Sequence, residues 1–238
     1  MRIAMWSGPR NLSTAMMYSF AARGDCAVWD EPFYAAYLAE TGLDHPLRAE
    51  TLAAWQQDPV HVAAHCRRDA PDQPHFYQKH MCQHMLPGVP RDWMADVTNV
   101  FLIRHPARVM ASFAAKYDDA TLTDIGFIQQ AELFDEVAQR TGTAPLVLDS
   151  ADIRANPKHM LMALCSALNL PFRDEMLEWQ QGPRPYDGPW APHWYEAVHR
   201  STGFATAEGP LPQLSGHAAQ VADAAQDYYT QLAVHALG

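Results

Sequence analysis

The sequence predicts an α/β fold in three layers, with a central five-stranded parallel sheet flanked by helices. Three observations predict it. Short apolar runs alternate with helix-length segments from Ile3 to Leu168, the pattern of strands joined by helical crossovers. The first 30 residues already read strand, turn, helix, strand, an order that favours a right-handed crossover and parallel pairing. At 238 residues, with 48% hydrophobic and 18% charged residues, the chain suits one sizeable domain that buries a sheet on both faces.

Ile3–Trp6 is the first apolar run, Ser7-Gly8-Pro9-Arg10-Asn11 has turn chemistry, and Ser13–Arg23 reads as a helix closed by Gly24. Ala27–Trp29 is the second strand. The stretch from about 38 to 73 is expected to hold two helices separated by Asp58-Pro59, inserted before the third strand, either as a substrate lid or as a structural cap. Phe76–Met81 and Asn99–Arg104 are further strands, followed by helices over Pro106–Tyr117 and Asp124–Arg140. Leu146–Leu148 is the fifth strand. Asn156 can cap a helix whose first position is Pro157, with Leu161, Leu164, Cys165 and Leu168 on one face. The loop Gln181–Pro192 is rich in Pro, Gly and Trp, and Trp190 and Trp194 require burial. A last helix, from about 216 to 237, places Val221, Ala225, Tyr228 and Leu232 on one stripe.

Composition excludes several classes. No apolar run reaches the roughly 20 residues of a membrane helix, and no charged leader precedes a long apolar stretch, so a cytoplasmic protein without membrane contact is expected. A net charge of −10 argues against sequence-independent nucleic-acid binding, though not against one small anionic ligand. The four cysteines (Cys26, Cys66, Cys82, Cys165) form no CxxC pair, and His45, His61, His65, His75 and His84 show no metal-ligand spacing. Buried thiols and no metal are expected. Nothing in the sequence fixes the oligomeric state.

Ile3 through Thr14 places a turn, a cation and two hydroxyls between a buried strand and a helix N-terminus. There backbone N–H groups and the helix dipole favour an anion, and Arg10 adds a full charge. The alternative is a tight turn in which Ser13 merely caps the helix. The nucleotide-triphosphatase pattern G-x-x-x-x-G-K-[ST] fails, because with Thr14 as its last position the glycines fall on Ser7 and Leu12 and the lysine on Ser13. A second segment, Val100 through Ser112, ends a strand in Arg104, starts a helix at Pro106 and sets Ser112 eight positions after the arginine. A guanidinium at a strand's carboxyl end can bind phosphate with two bonds, and a serine hydroxyl adds a neutral donor.

Arg10-Asn11-Leu12-Ser13-Thr14 resembles the 5′-phosphosulfate loop of the sulfotransferase family, where a basic residue, a small one, glycine and two hydroxyl residues follow in order; here Leu12 replaces the glycine. Arg104 with Ser112 resembles that family's 3′-phosphate element. The resemblance implies a P-loop-type fold and the cofactor 3′-phosphoadenosine-5′-phosphosulfate, with adenosine 3′,5′-bisphosphate as product and no metal. The acceptor would be a hydroxyl or amine of a small molecule. It also makes Arg200, with Arg184 behind it, the candidate for a basic C-terminal element that closes over the nucleotide. Glu31, in Asp30-Glu31-Pro32 after the second strand, stands where several bacterial and Golgi sulfotransferases carry a catalytic carboxylate, and it is the leading base; the alternative is a structural carboxylate. Lys79 and His80 are adjacent on a strand and must face opposite sides, so one of them can reach the site: Lys79 to assist the leaving group, or His80 as the base. Two other readings stand beside this one: a phosphotransferase using ATP and magnesium with Asp149 as metal carboxylate, and a non-catalytic nucleotide-binding protein.

Overall fold

Five strands, β1 (Arg2–Ser7), β2 (Cys26–Asp30), β3 (His75–Met81), β4 (Thr98–Ile103) and β5 (Leu146–Asp149), form one sheet in the order β2-β3-β1-β4-β5, with every neighbouring pair parallel. The computed structural model describes residues 1–70, 72–113 and 119–238. β1 takes the central place because Ile3 through Ser7 are all buried, as a strand covered on both faces must be. Its register pairs Met5 with Lys79 and Val100, and Trp6 with His80 and Phe101.

Strand alternation divides the core into two layers. Ile3, Met5, Tyr77, Val100 and Leu102 face one side. There they meet Met16, Met17 and Phe20 of α1 (Ser13–Ala22), which follows β1. The helices α2 (Tyr34–Thr41), α3 (Arg48–Ala54) and α4 (Pro59–Cys66) lie between β2 and β3. The other layer holds Ala4, Trp6, Phe101 and Ile103 with Val62 and Cys66 of α4. After β4 come α5 (Pro106–Phe113) and α6 (Phe127–Thr141), and α6 adds Leu133, Phe134 and Val137 to the second layer. After β5, α7 (Ser150–Ala155) leads to α8 (Pro157–Ala167), whose Met160, Leu161 and Leu164 complete the first layer. Two short helices, α9 (Ala191–Trp194) and α10 (Glu196–His199), precede α11 (Gly216–Ala233).

Differences from the sequence-based expectation have local causes. α2 begins at Tyr34, ahead of residue 38, because the chain turns sharply at Glu31-Pro32 and the Tyr34 N–H bonds to the Glu31 carbonyl at 3.0 Å. α6 starts three residues later than Asp124, because the Asp124 carboxylate accepts from the Thr121 N–H (2.8 Å) and hydroxyl (2.7 Å) and closes a turn first. α7 is an element that the sequence pattern does not announce; the Asp149 carboxylate caps it by accepting from the Ala151 N–H at 2.8 Å. α11 ends at Ala233, and the Leu237 N–H then bonds to the Val147 carbonyl beside β5. The expected end of the Pro106 helix at Tyr117 lies outside the described residues. All four cysteines are free and buried. Among the described residues no helix is long and apolar enough to cross a membrane.

Candidate active site

The loop between β1 and α1 opens at the carboxyl end of the central strand, where parallel sheets form ligand crevices. Two of its residues hold left-handed backbone, Arg10 (φ 63°) and Leu12 (φ 69°). Leu12 thus adopts the conformation that glycine takes freely, and its side chain packs against the first core layer. Gly8 is needed for another reason: a Cβ there would sit 2.6 Å from the Ile125 carbonyl oxygen. Leu12 supplies no side-chain cap to α1, which leaves the first N–H groups of the helix for a ligand. Asn11 is buried, anchored by its Nδ2 donating to the Leu102 carbonyl at 3.2 Å.

Arg10, Asn11, Leu12, Ser13, Thr14, Arg104, Ser112, Glu31 and Lys79 all line one cavity of about 620 Å³. Arg10 Nε donates to Ser112 Oγ at 2.8 Å, and an Arg104 terminal nitrogen donates to the Arg10 carbonyl at 2.7 Å. Burial, and then the neighbouring Arg104 charge, lower the Arg10 guanidinium below its usual range. Arg104 Nε is buried without a partner among the described residues. Two cations held against each other, with an unsatisfied donor and an uncapped helix end, form a site that fits a phosphate-bearing ligand.

On the β2–β3 side the cavity meets a buried charge network. Lys79 Nζ donates to Asp30 Oδ1 (2.9 Å), Glu31 Oε1 (2.5 Å) and the Tyr195 hydroxyl (2.6 Å). The three donors of the ammonium are therefore committed, and Lys79 holds carboxylates in this state instead of a leaving group. The Tyr195 hydroxyl, which accepts from Trp190 Nε1 at 3.0 Å, donates to the Asp30 carboxylate at 2.8 Å, and the Gly188 N–H donates to Asp30 Oδ2 at 3.0 Å. Glu31 sits at φ 43°, its N–H bonded to the Lys79 carbonyl at 2.9 Å. Burial pushes its carboxyl above the usual carboxylate range; Lys79 opposes the shift and Asp30 adds to it. Burial alone would lower the Lys79 ammonium, but Asp30 and Glu31 outweigh it and raise it.

Other expected residues stand elsewhere. His80 faces the opposite layer, as strand alternation requires, stacked on Trp6 (4.5 Å between centroids) with Trp93 at 5.2 Å. It does not line the cavity. Arg200, just past the end of α10, points to solvent and pairs with Glu196 at 2.6 Å, four residues back at the start of that helix, so it misses the cavity too. Arg184 lies over the Tyr18 ring at 5.8 Å, also outside the cavity lining. The Asp149 carboxylate caps α7 and accepts from the Tyr229 hydroxyl at 2.6 Å, which gives it a structural task away from the cavity. Sequence reasoning missed His84. It lines the cavity, stacks on Tyr34 (4.7 Å, 3°), lies tilted against Tyr37 (4.8 Å, 30°), and leaves Nδ1 buried without a partner among the described residues. Position in the sequence did not mark it, since His75 lies closer still to Lys79. The Tyr34 hydroxyl bonds to His45 Nδ1 at 2.9 Å, so this end of the cavity carries aromatic and imidazole groups.

The buried histidines set a pH dependence. Burial pulls the His80 imidazole down to about 3, and burial likewise pulls His84 well below its ordinary value. Below the unfolded value of 6.5 the unfolded chain binds protons that the folded chain refuses, so stability is present above it and is lost as pH falls. Each such histidine should contribute about 1.4 kcal/mol per pH unit in that window. Urea denaturation at pH 7 and pH 5 should show the loss, and His80→Phe should flatten the slope by about one proton equivalent. An unchanged slope would count against the buried neutral imidazole.

The sulfotransferase domain family matches residues 1–236. The chain is 37% identical over 204 residues to branched-chain-amino-acid aminotransferase-like protein 2 of Arabidopsis thaliana, a match that covers 86% of this chain and 36% of that protein. It is 38% identical, with the same coverage, to the aminotransferase-like protein 1 of that plant. The chain thus spans about a third of the length of these curated relatives. Among solved structures, the sulfotransferase domain from the curacin biosynthetic pathway shares the fold at TM-score 0.54 and 17% identity, covering 97% of this chain and 96% of its own. Fold and sequence match agree: the chain belongs to the sulfotransferase domain family.

Proposed function

We propose that this domain transfers a sulfuryl group from 3′-phosphoadenosine-5′-phosphosulfate to a hydroxyl or amine of a small acceptor. The observation that carries the reading is the pair Arg10 and Arg104, held in contact at the carboxyl end of β1 beside an uncapped helix N-terminus. Bound there, the cofactor would supply the sulfuryl group and a phosphate leaving group. Residues 10–14 would hold its 5′ end, and Arg104 with Ser112 its 3′-phosphate. Arg10 and the first N–H groups of α1 are placed to stabilise charge that grows on a leaving phosphate. Glu31, drawn upward by burial, is suited to take a proton from the acceptor. Lys79, Asp30 and Tyr195 act as positioning residues that fix the Glu31 carboxylate. Tyr34, Tyr37 and His84 form walls suited to a flat, partly apolar acceptor.

The cheapest test is thermal melting with adenosine 3′,5′-bisphosphate against ATP with magnesium. At 100 times its dissociation constant the bisphosphate should add about 2.7 kcal/mol of stability without metal. A melting temperature moved by magnesium ATP and not by the bisphosphate would refute the reading. Nucleotide binding with no transfer to any acceptor would leave a binding protein.

The two arginines should separate in kinetics. Arg104→Ala is expected to weaken cofactor binding, whereas Arg10→Ala should depress kcat more than affinity, because its charge is needed most when the leaving phosphate develops its own. Equal effects in calorimetry and in turnover would remove the division of roles.

A further inference from the structure

Three arginines from three elements converge on one carboxylate. Arg104 follows β4, Arg108 lies on α5 and Arg154 on α7, and all three meet Glu208, whose side chain is 4% exposed. Arg154 is 2.6 Å from Oε1, Arg108 is 2.9 Å from Oε2, and Arg104 shares Oε1. The adjoining main chain follows the same pattern: Arg154 Nε donates to the Thr206 carbonyl at 2.9 Å, and Arg108 donates to the Gly209 carbonyl. Residues 204–215 contain no helix or strand, so these contacts, more than regular structure, hold Glu208 in place.

The charges do not match. One carboxylate faces three guanidiniums, Arg10 adds a fourth cation against Arg104, and Arg104 Nε has no partner among the described residues. The cluster is continuous with the cavity, since Arg104 and Ala205 both line it. A phosphate monoester offers three terminal oxygens and close to two negative charges, a better complement to three planar forks than a carboxylate with two oxygens and one charge.

We propose that Glu208 is a built-in placeholder in a phosphate subsite made by Arg104, Arg108 and Arg154, and that a bound phosphate monoester displaces it. Arg108 and Arg154 then become ligand contacts, and residues 204–215 shift when the subsite fills. This rests on the nucleotide reading above, with the 3′-phosphate as the monoester.

Calorimetric titration of the whole chain tests it, using adenosine 3′,5′-bisphosphate and adenosine 5′-monophosphate on wild type, Glu208→Gln and Arg154→Gln, each checked for folding by circular dichroism. Glu208→Gln removes the competing charge and should tighten the bisphosphate about tenfold while leaving the monophosphate nearly unchanged. Arg154→Gln should weaken the bisphosphate by about tenfold and spare the monophosphate. Amide exchange across 204–215 should rise in wild type on adding the bisphosphate. If Glu208→Gln binds the bisphosphate no better, or more weakly, Glu208 is a fixed counter-ion and the proposal falls. If neither nucleotide binds wild type or Glu208→Gln, the nucleotide reading fails, and inorganic phosphate then probes the subsite alone. Binding to Glu208→Gln and not to wild type supports the placeholder; binding to neither overturns it. Should Glu208→Gln fail to fold, Arg154→Gln and the exchange measurement decide: a bisphosphate affinity equal to wild type with no change over 204–215 overturns it.

Discussion

Lys79→Met should lower stability by about 3–5 kcal/mol at pH 7, because it leaves two carboxylates buried without their cation. Lys79 is 1% exposed, Asp30 is fully buried, and both meet at 2.9 Å, with Glu31 as the second anion at 2.5 Å. The lysine balances two charges that are largely shielded from water, Asp30 wholly and Glu31 but for its face on the cavity, so its loss favours protonation of one carboxylate. Glu31 is the one placed to do so, since burial and Asp30 already push its carboxyl upward and Lys79 is the group that opposes them. Its raised folded value means that its contribution is present at low pH and lost as pH rises through that value. The deficit of the variant should therefore shrink as pH falls toward 5, against the trend set by His80 and His84. Lys79→Arg should not restore stability fully, because a planar guanidinium cannot reproduce the three bonds of a compact ammonium to Asp30, Glu31 and Tyr195. Urea denaturation of the three proteins across pH would settle the matter. A Lys79→Met protein within about 1 kcal/mol of wild type at neutral pH would show that the network is not held by its charges.

Much of this arrangement was legible in the sequence because it is local or periodic. The continuous apolar run of β1 fixed a central strand, the turn chemistry after it fixed a loop at the strand's carboxyl end, and the eight-residue spacing brought Arg104 and Ser112 to the same cavity. Alternation on β3 determined that Lys79 and His80 could not share a face. What stayed hidden depends on long-range packing. Tyr195 and the Gly188 N–H reach Asp30 from more than 150 residues away, and nothing in the composition of that loop marks its tyrosine over its arginines. Arg200 looked like the ligand because it is basic and in the right region, yet the turn of α10 offers it Glu196 and solvent. Glu208 lies in a stretch with no period at all, and only the convergence of three arginines gives it meaning. His84 was indistinguishable from four other histidines until Tyr34 and Tyr37 closed around it.

Glu31→Gln should reduce kcat by a factor on the order of 100 to 10,000 with little change in nucleotide affinity. The amide keeps the shape and can still accept from Lys79, so the fold and the loop should persist while the basicity is gone. Glu31 is the candidate because it alone of the two buried carboxylates lines the cavity; Asp30 is enclosed by Lys79, Tyr195 and the Gly188 N–H. His80→Asn is expected to cost stability, through lost stacking on Trp6, and to leave turnover nearly intact. His84 is the informative control, since it shares the cavity and burial keeps its ring neutral. His84→Asn should alter KM for the acceptor more than kcat if the ring is a wall, and kcat itself if the ring moves the proton. Single-turnover rates for the three variants at saturating cofactor separate these cases. An active Glu31→Gln enzyme beside an inactive His84→Asn enzyme that still binds nucleotide would move the base from β2 to the segment after β3, and would leave Glu31 with the single task of holding Lys79.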